Sequence, residues 1–169
     1  VKESPTLAVS FFKASPGIVG HLRPQYVSRW AGLGRSLYKG TWKSSTLATQ
    51  FFQVSPGLIK TLPFWDVEVF CSLIEALSQK SYDVAAECLI LGQEALSKMG
   101  REREAFLSLA RALTDESWRE VKSCLEAASK SLMIIEESQR DRFVRLTERL
   151  VRVGQRNTAG FLNVGSQAL

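Results

Sequence analysis

Phe11-Phe12-Lys13-Ala14-Ser15-Pro16-Gly17-Ile18-Val19 returns as Phe51-Phe52-Gln53-Val54-Ser55-Pro56-Gly57-Leu58-Ile59, and this repetition decides the fold. Weaker copies follow: CLILGQEAL from Cys88, CLEAASKSL from Cys124 and FLNVGSQAL from Phe161. Successive starts lie 40, 37, 36 and 37 residues apart. Self-similarity at such a period marks a stacked-repeat architecture, because a repeat of this size cannot bury its apolar face alone and covers it with its neighbours.

Aromatic residues follow the starts at a nearly fixed offset, at Trp30, Phe70, Phe106 and Phe143. Leu33, Leu73, Leu109 and Leu146 stand three positions later, and Leu37, Leu77, Leu113 and Leu150 four beyond those. Spacings of three and four put each set on one helical face. A second aromatic recurs at Trp42, Tyr82 and Trp118, with Gln155 at the fourth equivalent position. Helical spacing at equivalent positions assigns the repeated aromatics to core packing rather than to a base-stacking platform.

The pattern predicts about ten helical segments and no strand. Turn signals fall at Arg23-Pro24, Lys39-Gly40, Leu62-Pro63, Met99-Gly100 and Thr114-Asp115. Ser15-Pro16-Gly17 and Ser55-Pro56-Gly57 predict a new short helix at each site, with Ser as cap and Pro at the first helical position. The first two repeats would then hold three helices each. The third and fourth lack the Pro and read as simple helix pairs, with longer helices over 82–98 and 116–133.

A composition of 45% hydrophobic and 23% charged residues is that of a globular protein, expected here as a single α-helical repeat domain over 1–169. Val1-Lys2-Glu3-Ser4-Pro5 has no signal-peptide character and no apolar run is long enough to span a bilayer, so no membrane association is expected and the cytoplasm is the expected location. Both ends cut through the repeat, which leads to the expectation of a piece of a longer protein. Cys71, Cys88 and Cys124 have no paired spacing and read as reduced core residues.

Reactive constellations are missing. His21 is the single histidine and reads as a surface or capping residue. Gly32-Leu33-Gly34-Arg35 lies within a helical face without a preceding strand, so it is no phosphate loop. Three scattered cysteines and one histidine give no zinc spacing. Asp115-Glu116 and Glu136-Glu137 read as acids at helix starts. The chain is therefore expected to be no enzyme and to take no cofactor or metal.

An arginine row, Arg142, Arg145, Arg149, Arg152 and Arg156, runs one residue before the apolar row Phe143, Leu146, Leu150 and Val153. One helix thus shows an apolar stripe to the stack and a cationic stripe about 100° away. The row reads as a solvated face with Asp141 and Glu148 nearby in sequence, and it is the candidate partner-binding surface of this chain. Net charge is +5, with 22 basic and 17 acidic residues spread along the chain. No basic block points to nucleic acid, which stays as the alternative partner for an arginine-rich helix face.

The Trp column together with Phe11-Phe12-Lys13-Ala14-Ser15-Pro16 and Phe51-Phe52-Gln53-Val54-Ser55-Pro56 resembles the helical repeats that precede the von Willebrand factor A domain in NorD/CbbO-type proteins. The resemblance implies a scaffold in a machine that pairs a von Willebrand A protein with a MoxR-type AAA+ ATPase to activate or remodel a client. It transfers no metal or catalytic residue, since the Asp-x-Ser-x-Ser motif of that family is not in this sequence. The expected fold is an all-α solenoid of about four and a half stacked, HEAT- or armadillo-like repeats. The expected function is a non-enzymatic scaffold for protein–protein interaction, with an AAA+ ATPase or its client as partner.

Overall fold

A computed structural model describes residues 5–100, 103–134, and 136, 138, 139, 142, 143, 145, 146 and 149. Helices account for nearly all of them: α1 (Pro5–Val19), α2 (Pro24–Leu37), α3 (Trp42–Thr61), α4 (Phe64–Ser78), α5 (Tyr82–Lys98) and α6 (Arg103–Ile134). Helical backbone recurs at 138–139, 142–143, 145–146 and 149, and no strand occurs among the described residues. The chain divides into two compact units, 1–93 and 94–169.

Local chemistry sets the boundaries in the first unit. Pro24 opens α2 behind the extended Arg23, where its missing N–H is harmless. Gly40 takes the turn before α3 with φ +78°, a conformation that side chains disfavour. A reciprocal cap follows, in which Thr41 Oγ1 accepts from the Ser44 N–H and Ser44 Oγ accepts from the Thr41 N–H. Ser44 fills the role that Glu or Gln usually takes in such a box.

Packing in this unit alternates along the chain. α1 lies against α3, and α2 lies against both α3 and α4. Like helices of successive repeats are therefore neighbours, and the first aromatic column is what they enclose. Trp30, Phe70 and, in the second unit, Phe106 and Phe143 are all buried. Burying an aromatic of this kind contributes on the order of 2 kcal/mol or more, which is why the column holds its offset while the residues around it change.

Three expectations are corrected. Pro16 and Pro56 start no new helix; each lies inside a continuous helix, α1 and α3. An internal Pro withholds the N–H that would bond the carbonyl four residues back. In α3 that carbonyl belongs to Phe52, and the Ser55 hydroxyl donates to it at 3.4 Å. In α1 the Ser15 hydroxyl donates to Phe11 O at 2.8 Å.

The Thr114-Asp115 turn is also not formed. α6 runs for 32 residues, about 48 Å at the standard rise. The Thr114 hydroxyl bonds back to Ala110 O at 2.9 Å, satisfied inside the helix instead of capping one. In a regular stacked array the helix carrying Phe106 turns back before the one carrying Cys124, whereas α6 carries both. The buried Phe106, Ala110, Leu113, Val121 and Leu125 stay in helical phase through the supposed turn.

The third correction concerns the second aromatic column. Trp42 is 80% exposed, and Tyr82 and Trp118 are half-buried, so these residues are not core. Each sits at a helix start or on an outer face; the Arg119 guanidinium lies 4.8 Å from the centre of the Trp118 ring.

Candidate functional site

The arginine row is described in part. Arg142, Arg145 and Arg149 are exposed, and the neighbouring Phe143 is buried. Leu146, expected in the packed stripe, is instead 46% exposed. Arg152 and Arg156 lie outside the described residues. Arg142 and Arg152 stand one before and nine after Phe143, as Arg29 and Lys39 stand around Trp30.

Those two counterparts show what such cations do in the first unit. The Arg29 guanidinium meets the Glu68 carboxylate at 2.6 Å, 39 residues along the chain. Lys39 Nζ meets Glu75 at 3.1 Å, 36 residues along. Lys43 Nζ meets Asp83 at 3.0 Å, 40 residues along. Each pair ties a cation of one repeat to an acid of the next. These are surface pairs, each worth about 0.2–1 kcal/mol, so they set register more than stability. Arg29 also lies 5.8 Å from the Tyr26 ring and 5.9 Å from that of Phe64, and these two rings are 5.1 Å apart. That cluster seals α2 against α4.

The Ser-Pro-Gly motif, read from sequence as a helix boundary, is a junction between repeats. Trp30 Nε1–H donates to Ser55 Oγ at 2.9 Å, with both groups buried. A Cβ on Gly17 would touch the Pro56 ring at 3.5 Å, and one on Gly57 would meet the Gln93 side chain at 2.6 Å. Gln93 occupies the Pro56 position of the third repeat. The Gly of each motif therefore lets its helix approach the next one at the Pro position. A feature that sequence reading missed is the fit of Phe52 onto Gly34, where an added Cβ would collide with the ring.

Residues with reactive side chains are placed in structural roles. His21 Nδ1–H donates to Gly17 O at 2.8 Å, at the end of α1. Cys71 is buried and unpaired; burial, with Glu68 and Glu75 nearby, pushes its thiol far above the ordinary value and keeps it protonated. Cys88 is likewise buried, while the Cys124 side chain lies outside the described residues. Asp115 and Glu116 lie inside α6 and not at a helix start. Glu136 is exposed; Glu137 lies outside the described residues. No group of three possible metal-binding side chains occurs among the described residues. Nor is any described helix long and apolar enough to cross a membrane.

A groove of about 760 Å³ opens between α1 and α2 in the first unit. Phe11, Phe12, Tyr38 and Phe52 line it, with Arg35 and Lys39 at its polar edge. No family model, curated protein or solved structure matches this chain.

Proposed function

We propose that this chain is a helical-repeat scaffold that holds protein partners and catalyses no reaction of its own, its repeats continuing as a HEAT- or armadillo-like solenoid. The observation that carries the reading is the set of ion pairs between residues 36, 39 and 40 apart, which register each repeat of the first unit on the next. Repeats so registered present equivalent positions in a row, which is the geometry of an extended binding surface.

Arg142, Arg145, Arg149, Arg152 and Arg156 are the partner-binding residues in this reading. Arg142 and Arg152 occupy the positions from which Arg29 and Lys39 reach Glu68 and Glu75, two acids seven residues apart on α4. The complementary partner is accordingly a helix with acids two turns apart. The resemblance of the Phe-Phe-x-x-Ser-Pro repeats to those of NorD/CbbO-type proteins supports a MoxR-type AAA+ ATPase or its client as that partner, in a cytoplasmic assembly.

The test is a pull-down with the purified chain from a lysate of its source, at low and high salt and after nuclease treatment, alongside the double variant Arg145→Glu, Arg149→Glu. Recovery of an ATPase or client that survives nuclease and is lost with the double variant is the expected result. Recovery of nuclease-sensitive, salt-labile material alone overturns the reading in favour of nucleic acid, whose binding weakens steeply with salt.

A further inference from the structure

The repeats carry a helix cap at one fixed point. Four residues after Leu37 stands Thr41, four after Leu77 stands Ser81 and four after Leu113 stands Ser117, each followed by an aromatic, Trp42, Tyr82 or Trp118. In the first two repeats this residue ends a turn and starts a helix. Thr41 Oγ1 accepts from the Ser44 N–H at 3.2 Å, and its carbonyl accepts from the Ser45 N–H at 2.9 Å. Ser81 Oγ accepts from the Val84 N–H at 3.4 Å, and its carbonyl from the Ala85 N–H at 3.0 Å. The third repeat spells the standard capping box, Ser117-Trp118-Arg119-Glu120. Yet helical backbone runs straight through it, from Arg103 to Ile134.

Two further features of the third repeat fit a hairpin. Its linker, Thr114-Asp115-Glu116, is as long as Tyr38-Lys39-Gly40 and Ser78-Gln79-Lys80, and the second of these turns without Gly or Pro. Its aromatic also has a small residue to meet: Phe70 of α4 lies on Gly92 of α5, 22 residues on, and Ala128 stands 22 residues after Phe106. Against these, the unbroken helix keeps the backbone bonds that a turn gives up, and it holds the Thr114 hydroxyl on Ala110 O at 2.9 Å. One stretch of sequence thus supports two helical arrangements with opposed gains.

We infer that α6 is a two-state element, a 32-residue rod that closes at residues 114–117 into a hairpin patterned on α2 and α3 or α4 and α5. Closing exchanges the helical bonds across the hinge for the Ser117 and Glu120 cap and seats Phe106 against Ala128. It carries everything beyond the hinge, Arg142, Arg145 and Arg149 included, from the far end of the rod back toward its start. Presentation of the arginine row is then set by the state of α6. The inference uses the cap, the linker and the aromatic pair and not partner binding by that row, so the pull-down and the following test fail separately.

Nitroxide labels at the surface positions Glu104→Cys and Glu126→Cys of the full chain, in a Cys124→Ala background, read the two states by pulsed dipolar spectroscopy; Cys71 and Cys88 are buried. Along the rod the two positions lie about 33 Å apart at the standard rise. Asp115 stands midway between them, so closing sets them on neighbouring helices, less than about 20 Å apart. Both distances are expected. Ser117→Ala removes the cap and should lower the ratio of short to long about fivefold. Glu116→Gly gives the linker the residue that Gly40 supplies in the first repeat, weakens the rod and should raise the ratio about as much. Ser117→Thr keeps the capping oxygen and should change it by less than about twofold. The long distance alone in every variant overturns the inference and makes α6 a fixed rod. The short distance alone in every variant overturns it as well, leaving a fixed hairpin. Two populations whose ratio ignores Ser117→Ala also overturn it, because the cap is then not what closes the hinge.

Discussion

The junction between the first and second repeats is polar at its centre, and the one between the second and third is not. At the first, Trp30 donates its indole N–H to Ser55 at 2.9 Å. At the second, Phe70 replaces Trp30 and Gly92 replaces Ser55, with a Cβ on Gly92 falling 2.2 Å from the Phe70 ring. A buried indole without an acceptor costs about 1–3 kcal/mol, so Trp brings an obligation that Phe does not. The comparison teaches that the aromatic and the fifth residue of the next nonapeptide are one device. A hydroxyl is retained where there is an N–H to satisfy, and room alone is retained where there is a bare ring. The device does not extend to the equivalent pair Phe106 and Ala128, which lie on the single helix α6, about 33 Å apart at the standard rise.

Removing the ring tests the shared part of the device. Trp30→Ala empties a fully buried site and is expected to destabilise the protein by about 3–5 kcal/mol in denaturant unfolding. Filling the space tests the difference: Gly92→Ala forces its methyl into Phe70 and should cost about 1–3 kcal/mol. Gly32→Ala is the matched control, because no atom lies within 4 Å of an added Cβ there. It should leave stability unchanged or raise it by up to about 1 kcal/mol.

The apolar character of the second junction has a signature in pH. Cys71 adjoins Phe70, and burial raises its thiol well above the ordinary 9.0. Below 9.0 the thiol is protonated in both folded and unfolded chains; above it the unfolded chain loses the proton while the folded chain keeps it. Stability is therefore fully present below that value and falls as pH rises beyond it, by at most about 1.4 kcal/mol per pH unit. Cys71→Ala should flatten this slope in unfolding measured from neutral to alkaline pH.

Much of this was legible in the sequence. The aromatic column, the helix α5 and the turns at Arg23-Pro24, Lys39-Gly40, Leu62-Pro63 and Met99-Gly100 follow from periodicity and from Gly and Pro, which act locally. What misled was local chemistry overridden by packing. Pro56 reads as a helix start, yet the fit of α3 against its neighbours keeps the helix whole and Ser55 occupies the freed carbonyl. Thr114-Asp115 reads as a turn, but it holds neither Gly nor Pro and the apolar stripe of α6 passes through it in phase. The unbroken phase was the available signal. The proposed contact surface is legible in sequence only as a row of arginines; its relation to Arg29 and Lys39 takes its meaning from the ion pairs those two make with the following repeat.

The most direct test of the central claim, that Trp30 and Ser55 form one device joining two repeats, is a double-mutant cycle of Trp30→Phe and Ser55→Ala measured by denaturant unfolding. Ser55→Ala should cost about 1–3 kcal/mol when Trp30 is present and less than about 0.5 kcal/mol beside Trp30→Phe, because removing both partners leaves no unsatisfied indole. An equal cost in both backgrounds would contradict the account, showing that Ser55 serves the Pro56 break in α3 alone and that the repeats are joined by shape without this hydrogen bond.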